Sequence, residues 1–118
     1  MIFRNLTEPK EENVDQLQLY LHYFKIPKGI LLYVNKDNQE LKEFLVGYDK
    51  GRVEKLLSGL TNLKEQIDSD TVPSRMPGYP GIWQCRYCQF RIVCDMGEGG
   101  EMKWDDLKTK IQSQNTTA

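Results

Sequence analysis

Apolar residues recur along this chain with helical and strand periods in a definite order. In EENVDQLQLYLHYF, residues 11 to 24, Val14, Leu17, Leu21 and Phe24 are spaced three, four and three apart, which places them on one helical face. Glu11 and Glu12 fall in the first turn, where acidic side chains suit the helix dipole, and Pro27 and Gly29 end the pattern. GILLYVN, residues 29 to 35, is an apolar run of strand length. KDNQ follows as a polar turn. LKEFLVGYD then alternates, so that Phe44, Val46 and Tyr48 share a face. Together these runs predict a β-hairpin with a loop of about four or five residues.

A second helix is predicted over Lys50 to Asp68, with Asp49 as its N-cap and Val53, Leu56, Leu57, Leu60, Leu63 and Ile67 as its stripe. The expected core is Val14, Leu17, Leu21, Phe24, Leu31, Tyr33, Phe44, Val46, Val53, Leu56, Leu57, Leu60 and Leu63. Ile2-Phe3 reads as a strand remnant. SDTVPSRMPGYPG reads as a loop, and a short helix carries Met102, Trp104, Leu107 and Ile111 before a disordered QSQNTTA tail. A two-stranded hairpin is marginal in water by itself, so these strands call for neighbours. The domain boundary is expected after residue 96, with 97–118 as an acidic and polar tail.

Composition narrows the classes. A chain of 118 residues, 39% hydrophobic and 28% charged, builds at most one modest domain with a small core. A net charge of -1 gives no global pull toward DNA or an anionic membrane, leaving local basic patches. No apolar run approaches the roughly 20 residues of a membrane span, and MIFRNLTEPKEEN holds no secretory apolar region. Three clustered cysteines argue against a disulfide scaffold and for a reducing, cytoplasmic setting.

Those cysteines carry the candidate chemistry. Cys85, Cys88 and Cys94 lie within WQCRYCQFRIVC, residues 83 to 94, at C-x2-C-x5-C spacing. Thiolates select zinc or iron-sulfur clusters, and a closed tetrahedral site takes four ligands. The fourth is missing here. His22, the sole histidine, would complete a Cys3His zinc site, but it lies far away on the first helix and reads as a surface or boundary residue. Trp83, Tyr87 and Phe90 alternate with Arg86 and Arg91, and Arg75 and Tyr79 come just before. Such interleaving suits nucleic acid, with rings on bases and guanidinium groups on phosphate. The plainer reading has the rings wrapping a small metal site against the core.

Gln16 and Tyr20 are four apart and share a face of the first helix. Taken with this pair, the whole pattern resembles a known family. QLQLYLHYF, IPKGILLYVNKDNQELKEFLV, a second apolar helix and WQCRYCQFRIVC resemble, over about residues 8 to 96, the C-terminal half of RecB-type PD-(D/E)XK nucleases. The likeness is to their iron-sulfur branch, which includes the CRISPR-adaptation exonucleases and helicase-nuclease subunits.

The resemblance implies a partial restriction-endonuclease-like α/β fold: helix, β-hairpin, helix and a Cys-ligated C-terminal loop. It makes Gln16 and Tyr20 the accessory Q-x-x-x-Y motif, and Cys85, Cys88 and Cys94 three of the four ligands of a 4Fe-4S cluster, with zinc the alternative. It also implies DNA as partner, with Arg75, Arg86 and Arg91 as candidate contacts. The family role is DNA end processing in recombination, repair, replication or CRISPR adaptation. The family's fourth cysteine, its catalytic Asp and its E-x-K all precede the Q-x-x-x-Y helix. Glu8-Pro9-Lys10 spells E-x-K, but a proline is awkward in a central strand and residues 1–7 hold no acid.

The chain therefore reads as the back half of a nuclease domain, inactive alone. Mg²⁺ or Mn²⁺ is expected only if an upstream half or another subunit supplies the carboxylates. Two other readings stand beside it: a non-enzymatic nucleic-acid- or protein-binding module with a small zinc site, and a decaying fragment, against which the intact helix patterning argues.

Overall fold

The structure, a computed structural model, describes residues 3–115. A 3-10 turn, Phe3–Asn5, leads to α1 (Glu11–Phe24), the strands β1 (Lys28–Val34) and β2 (Leu41–Gly47), and α2 (Lys50–Asp68). Then come β3 (Thr71–Val72), the short helices α3 (Trp83–Arg86) and α4 (Arg91–Met96), β4 (Met102–Lys103) and α5 (Trp104–Asn115). This is a mixed α/β arrangement with two small antiparallel sheets, β1-β2 and β3-β4. The chain divides into two compact units, Met1–Gly59 and Leu60–Ala118, at a point inside α2.

In the first unit α1 packs on β1 of the hairpin. Strand alternation turns Gly29, Leu31, Tyr33, Lys42, Phe44 and Val46 to the packed side. The register pairs Leu31 with Phe44 and Tyr33 with Lys42. Tyr33 and Phe44 meet edge to face at 5.7 Å. The Tyr33 hydroxyl accepts from the Lys10 amide (3.1 Å) and Asn13 Nδ2 (2.7 Å), tying the start of α1 to β1. A Cβ on Gly29 would stand 2.9 Å from Leu17 Cδ1, so the helix lies close over the strand there. The other hairpin face is apolar and exposed, carrying Ile30, Leu32, Val34, Leu41 and Leu45.

Gln18 is the buried polar residue of this unit, only 2% exposed. Its Nε2 donates to the Gly47 carbonyl (2.8 Å), and its Oε1 accepts from the Asp49 amide (2.8 Å). One side chain thus closes the turn from β2 into α2. Asp49 caps α2 as expected, its Oδ1 accepting from the Arg52 amide at 3.1 Å. Arg52 in turn donates from Nε to Asp15 (2.6 Å) and from NH2 to Glu11 (2.5 Å), joining the starts of α1 and α2. The bonds to Glu11, then Asp15, push the Arg52 pKa further up from the usual arginine value, so this link keeps its charge.

Several expectations are corrected. Val14, Leu21, Val46 and Val53 are buried, and Leu17, Leu31, Tyr33, Phe44, Leu56 and Leu57 half-buried, but Phe24, Leu60, Leu63 and Ile67 are exposed. The buried side of α1 is centred on Val14, Gln18 and Leu21. At about 100° per residue Phe24 turns away from that centre. The stripe from Leu60 onward is left largely exposed. The hairpin loop spans residues 35–40, closed by the Asn35 amide on the Glu40 carbonyl (2.8 Å) and by Asn35 and Asn38 side chains on nearby amides. Phe3 is in a 3-10 turn rather than a strand. Ile2 and residues 116–118 lie outside the described residues.

The second unit holds the cysteine segment. β3 pairs with β4, Thr71 opposite Lys103 and Val72 opposite Met102, and the Trp104 amide donates to the Asp70 carbonyl at 2.8 Å. Met102 and Leu107 are buried, and Lys110 pairs with Glu98 at 3.0 Å. Residues 97–115 fall in the same compact unit as the cysteines, and 112–115 continue α5 where a disordered tail was expected.

Candidate functional site

Gln16 and Tyr20 meet on α1, where Gln16 Nε2 donates to the Tyr20 hydroxyl at 3.3 Å. Helical spacing turns the pair away from Gln18 and the hairpin, and Tyr20 is 52% exposed. The bond orients both groups and leaves the amide oxygen of Gln16 and the phenolic proton of Tyr20 unclaimed among the described residues. Such a pair positions a ligand or a neighbouring side chain; it has no charge with which to hold a divalent ion.

Glu8, Pro9 and Lys10 lie outside any strand, Lys10 serving as the N-cap residue of α1. Two further E-x-K runs escaped the sequence reading: Glu101-Met102-Lys103, which leads into β4 and whose Lys103 Nζ donates to the Ser69 carbonyl at 3.3 Å, and Glu40-Leu41-Lys42, which leads into β2. Its lysine is already occupied. Lys42 Nζ donates to the carbonyls of Phe3 (2.6 Å), Arg4 (3.2 Å) and Leu6 (3.0 Å) and sits 4.8 Å from the Phe3 ring centre. No three His, Cys, Asp or Glu side chains among the described residues gather into a metal-holding set. None of the three E-x-K runs therefore belongs to an assembled metal-holding set among the described residues.

Cys85 is buried in α3, Cys88 follows in the turn, and Cys94 is exposed on α4. The Cys88 amide reaches the Cys85 carbonyl at 3.4 Å and the Arg91 amide reaches the Cys88 carbonyl at 3.3 Å, so two tight turns carry the C-x-x-C. All three thiols are free. Their chemistry fits a soft metal or an iron-sulfur cluster, whereas their number falls one short of a closed four-ligand site. His22 is engaged elsewhere, its Nδ1 hydrogen-bonded to the Tyr48 hydroxyl at 2.9 Å and its ring stacked on Tyr48.

The aromatic and arginine residues of this segment separate into two groups. Trp83, Tyr87 and Phe90 are exposed, Tyr87 by 85%, and so are Arg86 and Arg91. The rings do not wrap into a core as the plainer reading had it. Arg75 is spent on the protein. Its guanidinium donates from Nε and NH2 to the Cys94 carbonyl (2.9 and 2.7 Å) and from NH2 to the Gly97 carbonyl (2.7 Å), stacking on Tyr79 at 4.8 Å. It thus satisfies carbonyls at the end of α4 that lack helical partners. Tyr79 also donates to Asp95 Oδ1. Cys94 borders a largely apolar cavity of about 210 Å³ with Met76, Val93, Met102 and Leu107.

No protein-family model and no solved structure matches the chain. Among curated proteins, the CRISPR-associated exonuclease Cas4 of Saccharolobus solfataricus is 29% identical over 79 residues, 67% of this chain and 33% of Cas4. The similarity relates the chain distantly to Cas4-like nucleases. It spans about a third of that relative's length. No helix among the described residues is long and apolar enough to cross a membrane.

Gln18, Lys42 and Arg52 are the organising polar residues that sequence reading missed. Gln18 had a signal: it stands four after Val14 and three before Leu21, inside the buried face. Lys42 and Arg52 had none, since their partners lie 36 to 41 residues away.

Proposed function

We propose that this chain is a DNA-processing component of the RecB-like, Cas4-like nuclease kind. In this reading it contributes the Gln16–Tyr20 helix and three thiolates of a metal centre. The carboxylates that hold Mg²⁺ or Mn²⁺ come from residues outside these 118, in an upstream half or another subunit. The observation that carries the reading is the hydrogen-bonded, outward-facing Gln16–Tyr20 pair at the family's motif position, in a chain with similarity to the Cas4 exonuclease. An open pair of this kind suits work on groups that other residues bring to it.

Cys85, Cys88 and Cys94 would hold a 4Fe-4S cluster, with zinc the alternative, and the fourth ligand would come from the same partner as the carboxylates. Once bound, such a centre contributes folding free energy by tying the segment together. Arg86 and Arg91 are the proposed phosphate contacts. Arg75 is left out because its donors serve the end of α4. The setting is the reducing cytoplasm, and the role is DNA end processing in recombination, repair, replication or CRISPR adaptation.

A DNA-binding titration tests this. Arg86→Ala and Arg91→Ala are each expected to weaken binding several-fold and to make the dependence of log affinity on log salt shallower by about 0.7 to 0.9. Unchanged affinity and slope in both variants would contradict the assignment. The exposure of Trp83, Tyr87 and Phe90 favours, as a second reading, a non-enzymatic nucleic-acid- or protein-binding module built on a zinc site. The metal bound to the protein separates the two.

A further inference from the structure

The last turn of α1 ends in an aromatic cluster that the nuclease reading leaves unused. Tyr23 and Phe24 are 69% and 70% exposed. His22 stacks on Tyr48 with ring centres 6.1 Å apart and meets Tyr23 edge-on at 5.3 Å. Tyr48 is fixed from two sides, its amide donating to the Pro27 carbonyl (2.9 Å) and its hydroxyl bonded to His22 Nδ1. Beside these rings Leu21, His22, Lys25, Ile26, Pro27 and Tyr48 line an open cleft of about 390 Å³, within the roughly 300 to 1,000 Å³ usual for small-molecule clefts.

Lys25 supplies the second observation. It caps α1 in the left-handed conformation, φ 57° and ψ 45°, with its amide bonded to the Leu21 carbonyl. Glycine is the favoured residue in that conformation, because a Cβ is strained there. The chain instead places a cation at this point on the rim, and Lys28 lies exposed just beyond Pro27. The Tyr48 ring held in place and two lysines complement a ring attached to an anion.

We propose that this cleft binds an unpaired nucleobase of single-stranded DNA, the base stacking on Tyr48 and its phosphate pairing with Lys25. The inference deepens the DNA reading above and rests on it. Stacking on aromatic side chains tolerates any base, so the site favours strand over sequence.

The test is fluorescence anisotropy of a labelled oligothymidylate with the full chain. Tyr48→Ala is expected to weaken binding about tenfold, whereas Tyr48→Phe keeps the ring and most of the affinity. Lys25→Gly relieves the left-handed strain, so the fold is retained, and it is expected to lower the salt slope by about 0.7. Circular dichroism verifies folding of each variant. Full binding by Tyr48→Ala and Lys25→Gly, with binding lost in Arg86→Ala and Arg91→Ala, overturns the cleft and leaves the DNA reading intact. Loss in the cleft variants alone supports the cleft and moves the DNA contact off those arginines. A wild-type chain that ignores the oligonucleotide but takes up an aromatic peptide assigns the cleft to a protein partner and overturns the proposal.

Discussion

Gln18→Leu is expected to destabilise the first unit by about 1 to 3 kcal/mol, since it removes two hydrogen bonds worth about 0.5 to 1.5 kcal/mol each. The substitution keeps the bulk of the side chain but strands both the Gly47 carbonyl and the Asp49 amide, which Gln18 alone joins. The damage spreads, because Asp49 also caps α2. Native stability is about 5 to 15 kcal/mol for proteins at large, so a loss of this size takes a large share of it. Gln18→Glu would fall between, retaining an acceptor for Asp49 and losing the donor to Gly47. Gln16→Leu, two positions away on the exposed side, is expected to stay within about 0.5 kcal/mol. Urea unfolding followed by circular dichroism measures all three. Equal midpoints for Gln18→Leu and Gln16→Leu would show that the turn from β2 into α2 is held by something else.

The second large effect concerns the thiols. Purified without oxygen, and with a small-molecule thiol present to take the fourth position, the chain is expected to carry iron and acid-labile sulfide and a broad visible absorption. Cys85→Ser, Cys88→Ser and Cys94→Ser are each expected to abolish both, because two remaining thiolates cannot close a site that takes four ligands. Cys85 is buried and Cys94 exposed, so the equal effect of the two replacements would mark ligation rather than packing. A colourless protein with stoichiometric zinc, lost in the same variants, points to the zinc module. Wild-type protein that binds neither metal removes the thiols from the functional account.

How much was legible in the sequence depended on how local the cause was. The bounds of α1 and α2 follow from the three-four spacing of Val14, Leu17 and Leu21 and from the Asp49 cap, and the structure places both helices over the expected residues. The hairpin likewise follows from alternation across Phe44 and Val46. Tyr48 was grouped with that face, but it lies past the strand and packs on His22 instead. Polarity misled at Gln18, whose burial makes sense only when the Gly47 carbonyl and Asp49 amide are known to converge on it. Apolarity misled at Leu60, Leu63 and Ile67, whose helical stripe records a need for cover without saying what provides it. The β3-β4 ladder joins residues some thirty apart through two short pairings, too little pattern to read. The Gln16–Tyr20 bond was legible from spacing alone, whereas the capping role of Arg75 required the fold.

In the proposed reading these residues serve a phosphodiester-cleaving assembly whose ion-binding carboxylates lie elsewhere. Metal-assisted hydrolysis needs such groups to carry the ion that activates water. Incubation of the 118-residue chain with labelled single- and double-stranded DNA in Mg²⁺ or Mn²⁺ tests this most directly. No cleavage above a metal-only blank is expected. Robust metal-dependent cleavage, lost in Glu40→Gln, would contradict it and make Glu40-Leu41-Lys42 a working site.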